Sequence, residues 1–391
     1  MNHPALPFIF FVFILLLYQI ISYHVLQIKF LLTHRDLFAQ QLLLCSDIFC
    51  PMSKTSTQQT SAFKEIPNPP YDLVVVGELN MDLILDHVNN LPEIGKERIA
   101  ENMTITLGSS SAILASNASV LGLCTAFTGR VGDDLFGNRI LRILDERGLD
   151  TSNILVSDKV NTGLTCIYTT KGDRGMITYP GAMEELTIKD INWEQIGSAR
   201  HLHLSSYYLQ KGIRPDCAEL FNKAKAMGLT TSLDTNWDPD EQWGDEIYDI
   251  LKFIDVFLPN DEEAMLISKK DNLDDALHFL TSLGCIVVAT CGSKGIIAQS
   301  GSTRYTVTSV PVTSVDAIGA GDSFNAGFLS RFVKGQSLEE SLKFGVVTGA
   351  FSTLEAGGTT AFEDIERFQK FAARANPQLT KTETKATDVK S

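Results

Sequence analysis

The sequence has few positive charges and no paired cysteines. Its 33 Lys and Arg residues stand against 47 Asp and Glu residues, which gives a formal net charge of −14. Because the phosphate backbone of nucleic acid attracts basic surfaces, this balance argues against nucleic acid as a partner. The seven cysteines contain no C-x-x-C pair, so reduced, buried thiols are expected rather than disulfides or a zinc site.

The seven histidines form no zinc-binding pattern. His201 and His203 alternate along a predicted strand at 200–205, and the pleat of a strand places both side chains on one face. Packing, or the lining of a pocket, is favoured over metal ligation.

Two common nucleotide-binding loops are absent as well. No G-K-[ST] sequence accompanies the glycines, which excludes a Walker A loop. Residues 77–80 follow a predicted strand but lack the G-x-G-x-x-G spacing, so an NAD-dependent oxidoreductase is disfavoured. The remaining composition, with 44% hydrophobic and 20% charged residues, is that of a globular chain.

From residue 71 onward, apolar strands alternate with amphipathic helices. Four short, continuous apolar runs are typical of parallel strands that are covered on both faces: 73–76, 229–233, 253–258 and 286–289. Asp134 can cap a helix that Gly148 ends, and another helix begins near Asp274. This alternation predicts an α/β fold with a central, mostly parallel sheet and helices on both faces.

Two segments, 97–107 and 163–179, alternate polar and apolar residues without intervening helices. They predict strands of a small second sheet. Polar strings that contain Asp234, Asn260, Thr290 and Asp316 each follow an apolar strand. Ligands of parallel sheets bind at the carboxyl ends of the strands, so one shared site is predicted there.

The stretch 316–324, D-A-I-G-A-G-D-S-F, is the most informative part of the chain. Gly319, Ala320 and Gly321 predict a tight turn into a helix, whose first N–H groups and positive dipole end would face an anion. Asp322 in the first helical turn could then take a proton from a hydroxyl beside that anion. Hydroxyl phosphorylation requires this pairing of an anion site with a base. A glycine-rich turn with a dipole-stabilising Asp is the structural alternative.

These residues resemble the D-T-x-G-A-G-D-x-F signature of the ribokinase-like (PfkB) carbohydrate kinases. Further strings resemble the family's motifs in the family's order: 74–82, 129–137, 259–263 and 290–295. The resemblance covers about 71–371 and implies a ribokinase-like α/β fold in which the small sheet is a lid over the sugar. It also implies that the lid could join two subunits in a homodimer.

The resemblance implies a role for individual residues. Asp322 would be the general base, and the backbone of Gly319, Ala320 and Gly321 would form the anion hole. The other implied contacts are with the substrate at Asp82, Gly108, Ser109, Ser111 and Asn236; with ATP at Asn260, Thr290, Gly292, Gly295 and Gly357; with Mg²⁺, through water, at Glu263 and Asn260; and with a monovalent cation such as K⁺ near Asp316.

Departures from the family pattern fall mainly on the substrate side. Ile113 replaces a commonly sugar-binding Asn, Asp238 stands where relatives often carry Arg, and Ala317 replaces the usual Thr. The implied activity is therefore ATP-dependent phosphorylation of a hydroxyl on a sugar or sugar-like molecule. A nucleoside kinase of the same fold and a non-catalytic nucleotide or sugar sensor remain alternatives.

The two ends of the chain differ from its centre. Residues 8–28 are uncharged and, at about 20 residues, long enough to span a bilayer, so 1–52 is either a membrane anchor or the product of a start codon misassigned ahead of Met52. In both cases the kinase domain is expected in the cytoplasm. Residues 53–70 are expected to be a polar linker, and 372–391 a disordered polar tail.

Overall fold

The structure, a computed structural model, describes residues 70–90, 92–170 and 174–383. The predicted hydrophobic segment at 1–52 lies outside these residues, as does nearly all of the linker. Within the described part of the chain, no helix combines the length and the apolar character that crossing a bilayer requires.

Ten of the described strands form one large sheet. They are β1 (Tyr71–Val76), β4 (Thr125–Gly132), β5 (Asp150–Ser157), β8 (Ala199–Leu204), β9 (Thr230–Leu233), β10 (Val256–Phe257), β11 (Ile286–Thr290), β12 (Ile296–Ser300), β13 (Thr303–Val307) and β14 (Leu379–Glu383). Their order is β14-β13-β12-β11-β10-β9-β8-β1-β4-β5. Neighbours from β5 to β11 are parallel, and those from β11 to β14 are antiparallel. The predicted, mostly parallel sheet is confirmed.

Four strands form the second, smaller sheet. They are β2 (Asn80–Asp86), β3 (Asn102–Leu107), β6 (Gly163–Thr169) and β7 (Arg174–Tyr179), in the order β3-β2-β6-β7. The segments 97–107 and 163–179 supply three of these strands, which confirms the predicted small sheet. The fourth strand, β2, was not predicted, because only three residues separate it from β1.

Helices cover both faces of the large sheet. They are α1 (Ser110–Val120), α2 (Leu135–Glu146), α3 (Trp193–Gly197), α4 (Cys217–Ala226), α5 (Ile247–Leu251), α6 (Asp261–Ser268), α7 (Leu273–Thr281), α8 (Ala320–Phe332), α9 (Leu338–Ser352) and α10 (Ile365–Ala372). Alternate residues of β1 enter different cores: Val74 packs in the core that contains Phe221 of α4, and Val75 in the core that contains Phe328 of α8. Each such side chain contributes roughly 1.5–3 kcal/mol by its burial.

The end of the chain differs from the prediction. We expected disorder over 372–391, but Leu379–Glu383 is strand β14 and pairs with β13 from Leu379↔Val307 to Thr303↔Glu383. The prediction was wrong for this segment because it relied on side-chain polarity. An edge strand presents unpaired backbone groups that a polar segment can satisfy, and Leu379 packs against the core.

His201 and His203 are fully buried in β8. The nitrogens of the His201 ring bond the hydroxyls of Thr230 and Ser232, and those of His203 bond the hydroxyls of Ser232 and Ser205, all at 2.6–2.7 Å. Burial lowers the pKa of His201 to about 3 and that of His203 well below its usual value. Both side chains are therefore neutral packing residues, as the sequence favoured.

Candidate active site

The start of α8 is open to a ligand. Gly319 precedes the helix with a φ of 71°, and a Cβ there would lie 2.6 Å from the Cα of Gly358. Only glycine fits this conformation and this close approach. No side chain caps the helix. The Ala320 amide donates to the Ala317 carbonyl at 3.3 Å, and the Gly321 amide and the positive dipole end of the helix remain for an anion.

Residues of this turn line two cavities. The acidic cavity, about 560 Å³, is lined by Gly319 and Asp322, and also by Glu78, Asp82 and Asn236. The glycine cavity, about 460 Å³, is lined by Ala320 and Gly321 of the same turn. Thr290, Gly292 and Gly295 also line the glycine cavity, so the predicted ATP-contacting turn faces the predicted anion hole.

Asp322 is only 9% exposed. Burial raises the pKa of its carboxyl to about 7, and the negative charges of Asp234 and Glu78 act in the same direction. A hydrogen bond from Ser110 opposes the shift. A carboxyl with a pKa near neutrality is suited to accept a proton from a hydroxyl.

Asp82 extends from β2 into the acidic cavity. Burial raises the pKa of Asp82 to about 7, a hydrogen bond from Asn80 lowers it, and the charge of Asp322 raises it again. The Asn80 amide donates to Asp82 Oδ1 at 3.1 Å and to Thr165 Oγ1 at 2.8 Å. A Cβ at Gly108 would overlap Asp82 Oδ1, so Gly108 serves this site by leaving room for the carboxylate.

Three consecutive serines at the start of α1 have different surroundings. Ser109 caps the helix, because its Oγ accepts from the Ala112 amide at 3.0 Å, and it also lines the acidic cavity. Ser111 is fully buried, and its backbone amide and hydroxyl both donate to the Glu78 carboxylate. Ser111 therefore lies behind the cavity wall, contrary to its predicted contact with substrate. Ser110, which the sequence analysis did not single out, lines the cavity instead.

Asn260 and Glu263 bond each other at the start of α6. Asn260 Oδ1 accepts from the Glu263 amide at 2.8 Å, and Glu263 Oε2 accepts from the Asn260 amide at 3.0 Å. This is a capping box, and neither residue is among those that line the two cavities. Glu263 is nevertheless near the site: burial raises the pKa of its carboxyl, and the charge of Asp322 adds to the rise.

Asp316 and Gly357 form a backbone clamp beside the turn. The Asp316 carboxylate accepts from the Ile318 amide and from the Gly357 amide, each at 2.9 Å. Gly357 has a φ of 82° and supports Asp316, and it is not among the residues that line the glycine cavity. The predicted ATP contact at Gly357 therefore lies outside that lining.

Sequence reasoning missed several polar residues of the site: Glu78, Asn80, Ser110, Thr165 and Asn325. It placed Asp234 at the shared site without assigning it a role. Asp234 is buried, accepts from Asn325 Nδ2 at 2.6 Å, and has its pKa raised by burial and by the charge of Glu263. Asn325 lies three residues after Asp322 on α8, and this helical spacing could have identified it. Within the described residues, no group of three or more His, Cys, Asp or Glu side chains is arranged to hold a metal.

Comparison with known proteins gives consistent matches over the described domain. The chain is 29% identical over 308 residues to a nucleoside kinase of Methanothermobacter thermautotrophicus, covering 78% of this chain and 96% of the relative. It is 25% identical over 303 residues to an ATP-dependent 6-phosphofructokinase of Thermoanaerobacterium thermosaccharolyticum, covering 76% of this chain and 92% of the relative.

Solved structures share the fold. An Arabidopsis thaliana ribokinase complexed with ribose and ATP matches with a TM-score of 0.66 and 24% identity, covering 77% of this chain and 98% of that one. An adenosine kinase from Sinorhizobium meliloti matches with a TM-score of 0.67 and 22% identity, covering 76% and 99%. The model of the pfkB family carbohydrate kinases matches residues 71–365. The chain therefore belongs to the pfkB family of carbohydrate kinases and is an ATP-dependent kinase.

Proposed function

We propose that the protein transfers the terminal phosphoryl group of ATP to a hydroxyl of a sugar or sugar-like molecule bound in the acidic cavity. One observation carries the proposal. Asp322 and Gly319 line the acidic cavity, whereas Ala320 and Gly321 of the same turn line the glycine cavity. A phosphoryl group that passes from one cavity to the other would cross the start of α8.

In this proposal Asp322 accepts the proton of the attacking hydroxyl. The amides of the Gly319–Gly321 turn hold the oxygens of the transferring phosphoryl group, and the helix dipole favours their charge. General-base help typically accelerates such steps ~10²–10⁴-fold, which is about 3–5 kcal/mol of barrier. Asp82 and Asn236 would hold the other hydroxyls of the acceptor, since both line the acidic cavity.

Mg²⁺ fits the surroundings of Glu263. Burial and the charges of neighbouring carboxylates raise the pKa of Glu263 and of Asp234. A bound cation would offset both effects and favour the charged form of each carboxyl. Glu263 and Asn260 would bind the ion through water, because their remaining oxygens are few once the capping box is made. When bound, Mg²⁺ neutralises the charge of the β- and γ-phosphates. Asp316 would supply the counter-charge for a monovalent cation such as K⁺, and replacing K⁺ by Na⁺ in the assay tests that role.

The small sheet supports a lid role in the same proposal. Thr165 of β6 and Met176 and Thr178 of β7 line the acidic cavity, so the sheet covers the acceptor and would exclude water during transfer. Hydrolysis of ATP without an acceptor should therefore be slow. Rapid hydrolysis without an acceptor would contradict a water-excluding site.

A homodimer would use the other face of the small sheet. Successive residues of a strand point to opposite faces, so Ile177 and Tyr179 point away from the cavity, and they are 66% and 51% exposed. Sedimentation of the protein and of Ile177→Lys tests the dimer. A monomeric unmodified protein would contradict it.

Phosphotransfer assays on Asp322→Asn test the proposed base. ADP release is measured with D-ribose, D-fructose and adenosine, and ATP binding is measured by calorimetry. The variant should bind ATP normally and lose at least ~10²-fold in turnover. Glu339→Gln changes an acid in the first turn of α9 that lines neither cavity, and it should retain turnover. Near-normal turnover of Asp322→Asn would overturn the base, and ATP binding without transfer to any acceptor would favour a sensor.

A nucleoside acceptor is the second candidate, and Trp237 favours it. This side chain lines the acidic cavity and is 41% exposed, and its ring is held edge-on by Trp243 at a centroid distance of 5.1 Å. An exposed, oriented indole is suited to stack against a nucleobase. Trp237→Ala should then reduce kcat/KM for adenosine by ~10-fold or more and leave that for ribose almost unchanged. Equal losses for both would assign Trp237 to packing.

A further inference from the structure

Asn117 lies on α1 with its side chain fully buried, and its amide group bonds two residues that are distant in the sequence. Its Nδ2 donates to Ser323 Oγ at 3.0 Å and to the Gly358 carbonyl at 2.9 Å. The Ser323 hydroxyl donates to the same carbonyl at 3.2 Å. Because a carbonyl oxygen only accepts, Asn117 must present its NH₂ group here, and the direction of all three hydrogen bonds is fixed.

The Gly358 carbonyl is thereby held against the start of α8. The Ser323 amide donates to the Gly319 carbonyl at 2.9 Å, a hydrogen bond of the first helical turn. Gly358 also packs directly on Gly319, since a Cβ at residue 319 would lie 2.6 Å from the Gly358 Cα. Gly319, Ser323 and Gly358 therefore form a closed group of contacts, and Asn117 bonds two of the three.

A second side chain of α1 supports the same contact. Ile113 lies four residues before Asn117, on the same face of the helix. Its Cδ1 would be 3.1 Å from a Cβ at Gly319 and 2.8 Å from one at Gly358. The apolar side chain of Ile113 thus fills the space beside both glycines, whereas Asn117 holds Gly358 by a hydrogen bond.

The neighbouring residue, Gly357, is joined to the other end of the turn. Its amide donates to the Asp316 carboxylate at 2.9 Å, and that carboxylate also accepts from the Ile318 amide. Residues 357 and 358 are therefore bonded both to the chain before the turn at 319–321 and to the chain after it. A displacement of these two residues would disturb both ends of the turn.

Packing alone does not account for an asparagine at position 117. Within the part of the chain that the structure describes, Asn117 Oδ1 has no hydrogen-bond partner. A buried carbonyl without a partner costs free energy, so an apolar side chain of similar size would pack better. An apolar side chain could not make the two hydrogen bonds of Nδ2.

We infer that Asn117 is a positioning residue for the turn at 319–321. By joining Gly358 to Ser323 it holds this turn in the position that a transferring phosphoryl group requires. The inference rests on the proposed role of the turn as anion hole. Asn117 lines neither cavity, so it acts through the turn and not on a ligand. A displacement of about 1 Å in such a site can cost ~10²-fold in rate, because transfer depends on precise alignment.

The position of the turn is measured first, without any ligand. In protein labelled with ¹⁵N-glycine, the resonances of Gly319 and Gly321 are those that disappear in Gly319→Ala and Gly321→Ala. Asn117→Leu fills a similar space without donors and should shift both resonances, as should Ser323→Ala. Ser116→Ala is the matched control. It removes a fully buried hydroxyl from the preceding position of α1, one that has no hydrogen-bond partner among the described residues, and it should leave both resonances unchanged.

The same variants are then assayed for ADP release with D-ribose, D-fructose and adenosine. Asn117→Leu should lower kcat ~10-fold or more and change KM for the acceptor less than about twofold, since the residues proposed to hold the acceptor are outside this group of contacts. Ser323→Ala should lower kcat as well, and the double variant should lose little more than either single one. An equal loss of kcat in Ser116→Ala would indicate general loosening of α1 and would overturn the inference.

Two further results would also overturn it: unmoved glycine resonances in Asn117→Leu and Ser323→Ala, or a kcat in both variants equal to that of the unmodified protein. If Asn117→Leu does not fold, Ser323→Ala decides alone, since it leaves Asn117 in place. Failure of the proposed function is a separate result, because the unmodified protein would then transfer phosphate to none of the three acceptors. The glycine resonances would still report the position of the turn.

Discussion

Gly108 and Asp82 occupy adjoining space, and a Cβ at residue 108 would overlap the Asp82 carboxylate. Asp82 cannot retreat easily, because Asn80 and the strand pairing of β2 hold it in the small sheet. Position 108, just before α1, therefore requires a residue without a Cβ, and glycine is the residue that meets this requirement.

Gly108→Ala should displace Asp82 and weaken acceptor binding. We expect KM for the acceptor to rise ~10-fold, which corresponds to about 1.4 kcal/mol, with little change in KM for ATP. Steady-state kinetics with each substrate varied in turn measures the effect. Gly197→Ala, in a helix and without a close neighbour, is the matched control. An equal rise in both KM values would point to general disruption.

Gly319→Ala and Gly321→Ala should have different effects, since the first strains the backbone and the second obstructs only the bound ligand. At 319 a Cβ meets Gly358, and φ is positive, so we expect a loss of about 2 kcal/mol in unfolding free energy together with lost turnover. At 321 a Cβ meets nothing within 4 Å, so stability should hold while KM for ATP rises. Urea unfolding and ATP titration distinguish the two, and equal destabilisation would contradict this difference.

The rate of phosphotransfer should fall as the pH drops below about 7. The pKa of Asp322 is raised to about 7, and the base acts in its deprotonated form, so activity is present above that pH and lost below it. The expected slope of log kcat/KM is ~1 per pH unit on the acidic side. A profile measured from about pH 5.5 to 8.5 that stays flat would exclude a base with this pKa.

His201 should make the protein less stable in mild acid. Its folded pKa, about 3, is depressed, so its stabilising contribution is present above the unfolded value of ~6.5 and is lost as the pH falls toward 3. At pH 5 the loss is about 2 kcal/mol relative to neutral pH.

Urea unfolding of His201→Gln at about pH 7.5 and 5.0 measures this loss. The free energy of unfolding should differ between the two pH values by about 2 kcal/mol less in the variant than in the unmodified protein. Buried carboxyls contribute equally to this difference in both proteins. His278→Gln, at an exposed position of α7, should leave the difference unchanged. An unchanged difference in His201→Gln would contradict the shifted pKa.

Ending the chain after residue 378 should destabilise the large sheet. It removes β14, exposes the backbone edge of β13 and uncovers the core beside Leu379, at a cost of about 2 kcal/mol. The midpoint of thermal unfolding should fall, and self-association should increase. Ending the chain after residue 383 retains β14 and is the control. Equal midpoints for the two forms would show that β14 adds nothing to stability.

The sequence predicted the elements whose signal is local. Continuous apolar runs predicted β1, β9 and β11, and the glycine turn before Asp322 predicted the start of α8. Ser109, Ser110 and Ser111 show what local chemistry cannot decide. Three identical side chains become a cap, a cavity residue and a buried partner of Glu78 only because α1 begins at Ser110 and Glu78 lies on a distant segment. Likewise, β14 forms because the edge of β13 offers unpaired backbone groups, and its own polar composition does not indicate a strand.

Only Gly77, Glu78 and Leu79 separate β1 of the large sheet from β2 of the small one. Glu78 therefore lies in this junction and Asp82 lies just beyond it in β2, whereas Asp322 is anchored in α8. A rotation of the small sheet about the junction would pull Asp82 away from Asp322 and disturb the Glu78 contacts with Ser111 and Ser206. Opening the site to release product would therefore take Asp82 away from the acceptor while Asp322 and the glycine turn stay in place on α8, so the acceptor site would be complete only while the small sheet covers it.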